Sequence, residues 1–363
     1  MEDKFYLHAL NLLPQFGPKR LLKLANAFAS FKDAFEASSK ALATAGLEPQ
    51  VIEAFLGQRE NIDVVNEANS LTGQGISLLT FKDDNYPKLL LEIPLFPPLL
   101  YYKGTMDNAD ELAIAVVGTR KITNYGRTVI PELLEPLCQS GITIVSGLAY
   151  GADAAAHTVA LKTGSRTIAV LGSGLDDKTI YPKDHALLAE QIISSGGALL
   201  SEHPPGTPAF KQHFVARNRI LSGLCVATVV VECDTHSGAL ITAGHALDQN
   251  RNVYAVPGPI YSLESRGPNN LLKMGAKPLT EAADILDDLN LSGVQLEITD
   301  IGIDLTEEEQ KIFEHINFEP IGINELIKKA ELEAGQVTAT LTFLEMKGKI
   351  RNLGAQQYVR SRK

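Results

Sequence analysis

A chain of 363 residues has room for two or three domains with a sizeable core. Its 45% hydrophobic and 21% charged content is ordinary globular composition and excludes a disordered chain. The formal net charge of -10 excludes indiscriminate coating of nucleic acid, so any anion site has to be local.

Residues 1–75 read as short helices. A Gly17-Pro18 turn separates two apolar helical runs, the second carrying Leu21, Leu22, Leu24, Ala25 and Phe28 at helical spacing. This suits a helix-hairpin-helix element, whose backbone N–H groups hold phosphates. It equally suits a sterile-alpha-motif-like interaction domain without DNA contact, and the few basic residues near the turn favour the latter.

From 76 to 290 the pattern changes to β-rich runs alternating with amphipathic helical stretches. The strands are expected near 112–117, 142–146, 167–171, 198–200, 226–231 and 252–256. Such alternation predicts an α/β domain, a doubly wound and largely parallel Rossmann-like sheet with helices on both faces. Ligands of such sheets bind beyond the C-terminal strand ends, where the strand order switches. The marked residues all follow strand ends and so converge on one edge of the sheet. Residues 291–303 read as a linker. Residues 304–363 read as a winged helix: Thr306 caps a helix with Glu309 at its third position, two more helices follow, and a hairpin closes the unit. From Lys347 on, the basic residues Lys347, Lys349, Arg351, Arg360, Arg362 and Lys363 have no acid among them, which fits either a DNA-binding wing or a protein contact.

Cys138, Cys225 and Cys233 are far apart, suiting a reducing compartment and arguing against zinc. The first residues form neither a signal peptide nor a membrane span, which places the protein in the cytoplasm. Neither a GxGxxG fingerprint at the first strand end nor a Walker A sequence occurs, so NAD and ATP lack their usual support and no cofactor is expected.

At the strand ends, Gly118-Thr119-Arg120 offers close backbone approach, a hydroxyl and a planar donor fork for phosphate. Ser146, Gly147 and Gly151 bracket the next turn and Gly172-Ser173-Gly174 the one after; their amides and hydroxyls suit a phosphate nest. Asp153 and His157, four apart, are expected as a helix cap and a core histidine rather than a metal or acid–base pair, and no metal site is expected. Between Glu202 and Glu232 there is no acid, and Lys211, His213, Arg217 and Arg219 cluster there with Phe210 and Phe214. A basic stretch with aromatic rings is how single-stranded nucleic acid is commonly held. Arg217 and Arg219, two apart, point to different sides of a helix, one placed for DNA and the other for loop support. Ser237, Gly238 and Thr242 open the following helix, as part of the nest or as an N-cap.

VVGTR at 116–120, SGLAYGAD at 146–153, LGSGLD at 171–176, RNRILSGL at 217–224 and SGALITAGHAL at 237–247 occur in the order of one family. The chain resembles the DNA-processing protein A family, also called Smf, over nearly its whole length. The resemblance implies a single-stranded DNA-binding protein that protects incoming DNA and loads a RecA-type recombinase in natural transformation or a related recombination step. It implies phosphate contact at Arg120, base contacts at Lys211 and Phe214, a site that takes in Asn218 of the RNRILSGL motif, a homodimer through the central domain and no chemical step. Many relatives have Pro where this chain has Val215, which leaves the helix start open. The alternative is a hydrolase of nucleoside monophosphate N-glycosidic bonds on a related fold. The loop such enzymes use is missing, and Glu232 is the one carboxylate at that strand end.

Overall fold

The computed structural model describes residues 2–106, 110, 112–291, 306–317, 320–330, 332–347, 349–354 and 356–360. The chain forms two compact units, 1–294 and 295–363.

The first unit is built on a nine-stranded sheet. Its strands are β1 (Ser77–Thr80), β2 (Leu99–Gly104), β3 (Ala113–Val117), β4 (Thr143–Ser146), β5 (Thr167–Leu171), β6 (Ala198–Ser201), β7 (Ala227–Val230), β8 (Asn252–Ala255) and β9 (Lys277–Pro278). Their order across the sheet is β1-β2-β6-β5-β4-β3-β7-β8-β9. From β6 to β9 every pair is parallel, whereas β1 and β2 join antiparallel at one edge. Six of these strands lie within a residue or two of the expected runs. The antiparallel pair and β9 are additions that the βα alternation does not announce.

Strands β3, β4, β5, β6 and β7 are buried along their whole length, as continuous apolar runs in a parallel sheet require. Successive residues point to opposite faces. Thus Tyr101, Leu171 and Leu199 join one core, and Leu100, Val170 and Leu200 the other. The first of these cores also contains Leu7, Leu10, Leu21, Leu24 and Phe55 from the N-terminal helices. The helical segment therefore packs on the sheet through a shared core. Its opening helices, Asp3–Asn11 and Pro18–Ala27, meet at the expected Gly17-Pro18 turn, with Pro18 at the first helical position.

Strand order reverses direction at β3. Strands β4, β5 and β6 run out on one side of it, and β7 and β8 on the other. The chain crosses between the two sides through the helix Lys211–Gly223, which links β6 to β7. That crossover puts the acid-free basic stretch directly at the switch point.

The second unit is a winged helix. Helices Glu307–Phe313, Ile323–Ala330 and Ala334–Met346 pack with a three-stranded sheet of order β10-β12-β11, where β10 is Ile321–Gly322, β11 is Ile350–Gly354 and β12 is Gln357–Arg360. Ile312, Leu326, Leu341, Leu344 and Tyr358 fill its core. The capping box of Thr306 and Glu309 is formed in both directions. Among the basic residues, Lys347 pairs with Glu309 at 2.6 Å, and the Arg360 guanidinium lies 4.0 Å from the Phe313 ring centre. Arg362, Lys363 and, apart from Leu291, the expected linker lie outside the described residues.

Candidate nucleic-acid interface

A groove of about 850 Å3 opens at the switch point, beyond the C-terminal ends of β3 and β7. Gly118, Thr119 and Arg120 form one wall, the first turns of helix Lys211–Gly223 the second, and the start of helix Gly238–Asp248 the third. Lys211 begins its helix, so Lys211 and Phe214 stand one turn apart on one face and both line the groove. Val215 is inside the helix and does not delay its start.

Arg120 and Lys211 are exposed, and Phe214 is partly buried. The Arg120 guanidinium lies 5.6 Å from the centre of the Phe214 ring, within cation–π range. The Tyr181 ring touches the same Phe214 at 5.7 Å and is itself 42% exposed. The groove thus presents a cationic fork beside the Phe214 ring, and Tyr181 backs that ring from a small adjoining pocket that Arg120 and Phe214 also line. Tyr181 escaped the sequence analysis. Its signal there is an aromatic residue ahead of a proline, ten residues past the end of β5. At the far end the groove turns acidic with Asp234 and Glu264, so its positive character is concentrated at Arg120 and Lys211.

Several expected contacts have other partners. Arg217 is buried, 6% exposed. Its guanidinium donates to the Val170 carbonyl, and Asp153 supplies its electrostatic partner. Burial pushes Arg217 down to about 10, so it remains charged at neutral pH. Asp153 is raised by burial, opposed by Arg217 and by two amide hydrogen bonds. Those amides are Gly147 and Ala149, at 3.1 and 3.3 Å. Asp153 therefore organises the turn after β4 and does not cap its own helix, whose N-cap is Gly151. His157 is fully buried and shares a 2.7 Å hydrogen bond with Thr167.

The phosphate-nest expectation is revised for the same reason. The Gly147 amide is taken by Asp153, and the Gly174 amide donates to the Thr207 carbonyl. The hydroxyls of Ser146 and Ser173 are buried and donate to the carbonyls of Val116 and Gly174. The glycines serve close packing. A Cβ on Gly147 would strike the Arg217 guanidinium, and one on Gly172 would lie 2.9 Å from the Phe214 ring. Gly151, at φ +77°, lets its turn press on Thr119 and Arg120. These residues support the groove from beneath.

Arg219 points away from this groove and pairs with the partly buried Glu202 at 2.5 Å. Ser237 accepts from the Ala239 amide as an N-cap, while Asn218 and Thr242 donate to the Gly238 carbonyl. The Glu232 carboxylate is buried and accepts from both the amide and the hydroxyl of Thr123, at 3.1 and 2.5 Å. Glu232 is thereby held as a structural clamp on that loop. Among the described residues no group of His, Cys, Asp and Glu is arranged to hold a metal ion. All three cysteines are buried and free, and among the described residues no helix is long and apolar enough to cross a membrane.

Fold and groove together define the class: a doubly wound α/β protein with a groove of cationic side chains and an aromatic ring at its switch point, followed by a winged helix. The chain belongs to the family described as DNA recombination-mediator protein A, whose pattern matches residues 77–290; the DprA winged helix domain matches residues 301–356. It is 33% identical to a protein named Smf from Synechocystis sp., with 99% of each chain covered. It is 41% identical to the DNA processing protein DprA of Bacillus subtilis over 61% of this chain and 74% of that one. Among solved structures, DNA processing protein A of Streptococcus pneumoniae superposes with a TM-score of 0.68 at 33% identity, covering 79% of this chain and 98% of that one. DNA processing protein A of Helicobacter pylori, described for its single-stranded DNA binding mode, matches with a TM-score of 0.53 at 30% identity, over 59% of this chain and 95% of that one.

Proposed function

We propose that this protein binds single-stranded DNA in the switch-point groove, protects it and promotes loading of a RecA-type recombinase, in natural transformation or a related recombination step in the cytoplasm. The observation that carries the reading is the convergence of Arg120, Lys211 and Phe214 on one groove. Phosphates lie at Arg120 and bases meet Phe214 and Lys211, while Arg217 acts from beneath as a buried charge. The Helicobacter relative supports the choice of ligand. The reaction cycle contains no bond-breaking step and needs no cofactor. Two copies pair through the central domain. The exposed apolar side chains Ile260, Tyr261, Leu263 and Met274, which follow β8, favour such pairing.

Arg120→Ala tests the site. Its guanidinium is exposed, so the variant should keep the wild-type melting temperature. A lost charged hydrogen bond of about 1.5–3 kcal/mol corresponds to roughly 10- to 100-fold weaker binding of a single-stranded oligonucleotide, read by fluorescence anisotropy. Unchanged affinity in a protein of unchanged melting temperature would remove Arg120 from the interface.

A further inference from the structure

A second groove, of about 910 Å3, lies on the other flank of helix Lys211–Gly223, beyond the end of β6. Its opposite wall is the turn of the N-terminal helices, including Gly17, Pro18 and Lys19. The first turn of one helix thus separates two grooves of similar size. Lys211 and Phe214 face the switch-point groove, and Phe210, Gln212 and His213 face the second. We propose that a bound single strand continues around this turn into the second groove, so that the N-terminal helices form part of its path. The inference rests on the single-strand reading of the first groove.

Charge supports that occupant. The two carboxylates lining the second groove are both paired, Glu48 with Arg20 at 3.0 Å and Glu202 with Arg219. Lys19 is exposed and has no partner among the described residues. Lys23 donates to the Gly46 carbonyl at 2.7 Å and shares the field of Glu48 with Arg20, so that Lys19, Arg20, Lys23 and Arg219 outnumber the two carboxylates of the lining. The free charge of the groove is therefore positive in a chain whose net charge is -10.

Ring geometry points the same way. His203 and His213 stack with centres 4.2 Å apart and planes 27° apart. Phe210, 51% exposed, meets His213 edge-on at 5.3 Å. This tier of flat side chains is what unstacked bases pack on, without regard to base identity. The helices starting at Pro18 and Lys211 add to it: neither has a side-chain cap or an acid in its first turn.

The experiment compares full-length wild type with Lys19→Ala and Lys19→Glu on oligothymidylates of about 6 and about 20 nucleotides, lengths chosen to fill one groove or to exceed it. The expected result is a loss confined to the longer strand. For Lys19→Ala, losing one phosphate contact flattens the log-salt slope by about 0.7, equivalent to about fivefold weaker binding at 0.1 M salt. Lys19→Glu should lose more. A 5-iodouracil at the end of the longer strand should crosslink to Phe210 or His213. Equal affinity of wild type and both variants for the long strand, or an equal loss on both lengths, overturns the inference. So do crosslinks confined to Phe214 and Tyr181, which would leave the second groove to a protein partner. Wild type binding neither strand would instead defeat the reading of the first groove.

Discussion

Lys211 and Phe214 sit one helical turn apart in the same groove, yet their physical roles differ. A lysine on phosphate acts through counterion release, so Lys211→Ala should flatten the log-salt slope by about 0.7 if it meets a phosphate. If it meets a base edge, affinity falls while the slope stays. Phe214→Ala should cost roughly 1–3 kcal/mol of binding by lost stacking with the slope unchanged. Because Phe214 is only partly buried, its melting temperature should stay close to that of wild type. Titration of both variants against salt, with thermal melts alongside, separates the cases. A strongly destabilised Phe214→Ala protein that binds normally when folded would show the ring to be a core residue. Arg217 shows the limit of reading charge from a sequence. Two arginines two apart must point to different sides, but tertiary packing decides which one is buried. Here Arg217 goes under the glycine turns toward Asp153, and Arg219 goes to Glu202. A burial of that kind leaves no local mark in composition.

At the level of elements, helix Lys211–Gly223 is positioned by contacts from below. Gly172 lies where a Cβ would meet both the Phe214 ring and its backbone nitrogen, at 2.9 and 3.0 Å. Gly172→Ala should therefore displace the first turn of the helix. The expected loss is about 1–3 kcal/mol of stability from overpacking, together with weaker binding at a groove whose contact side chains are unchanged. Denaturant unfolding and anisotropy on the same sample check this; a variant with wild-type stability and affinity would mean that the helix adapts. The strand positions were legible because six runs in a parallel sheet are largely apolar and are followed by marked turns. The gathering of the marked motifs was legible too, since turns after parallel strands must lie on one edge. The strand order was not, because it depends on pairings between segments far apart in sequence. The same holds for β1 and β2, whose antiparallel addition leaves no βα signature. The glycine turns were read as ligand-facing, although the Gly147 and Gly174 amides and the Ser146 and Ser173 hydroxyls are satisfied inside the protein. Glycine for anion approach and glycine for packing look alike in a sequence.

For the whole first unit, three buried or largely buried histidines tie stability to pH. Burial lowers His8 to about 4, His157 to about 3 and His203 to about 4. Each is neutral in the fold at neutral pH, whereas an unfolded histidine titrates near 6.5. Their full contribution is present above about pH 6.5. It declines as pH falls from there toward their folded values, because the unfolded chain then binds protons that the fold refuses. Each histidine can cost up to about 1.4 kcal/mol per pH unit within that window. Asp153 and Glu202, raised by burial, work in the opposite sense. Denaturant unfolding between pH 7 and 5.5 should show falling stability, and His157→Gln should reduce the slope by its own share. A wild-type stability flat across this window would contradict the assignment.

The two-residue strand β9 has a consequence for behaviour at high concentration. An exposed sheet edge is a template on which a second chain can add a strand and begin an aggregate. Here that edge ends in Lys277 and Pro278, a charged side chain tied to Asp288 and a residue with no N–H to offer. At the opposite edge, helix Asp3–Asn11 packs on β1 and β2. Copies of the protein crowded together at high concentration are thus discouraged from fusing their sheets at the β9 edge.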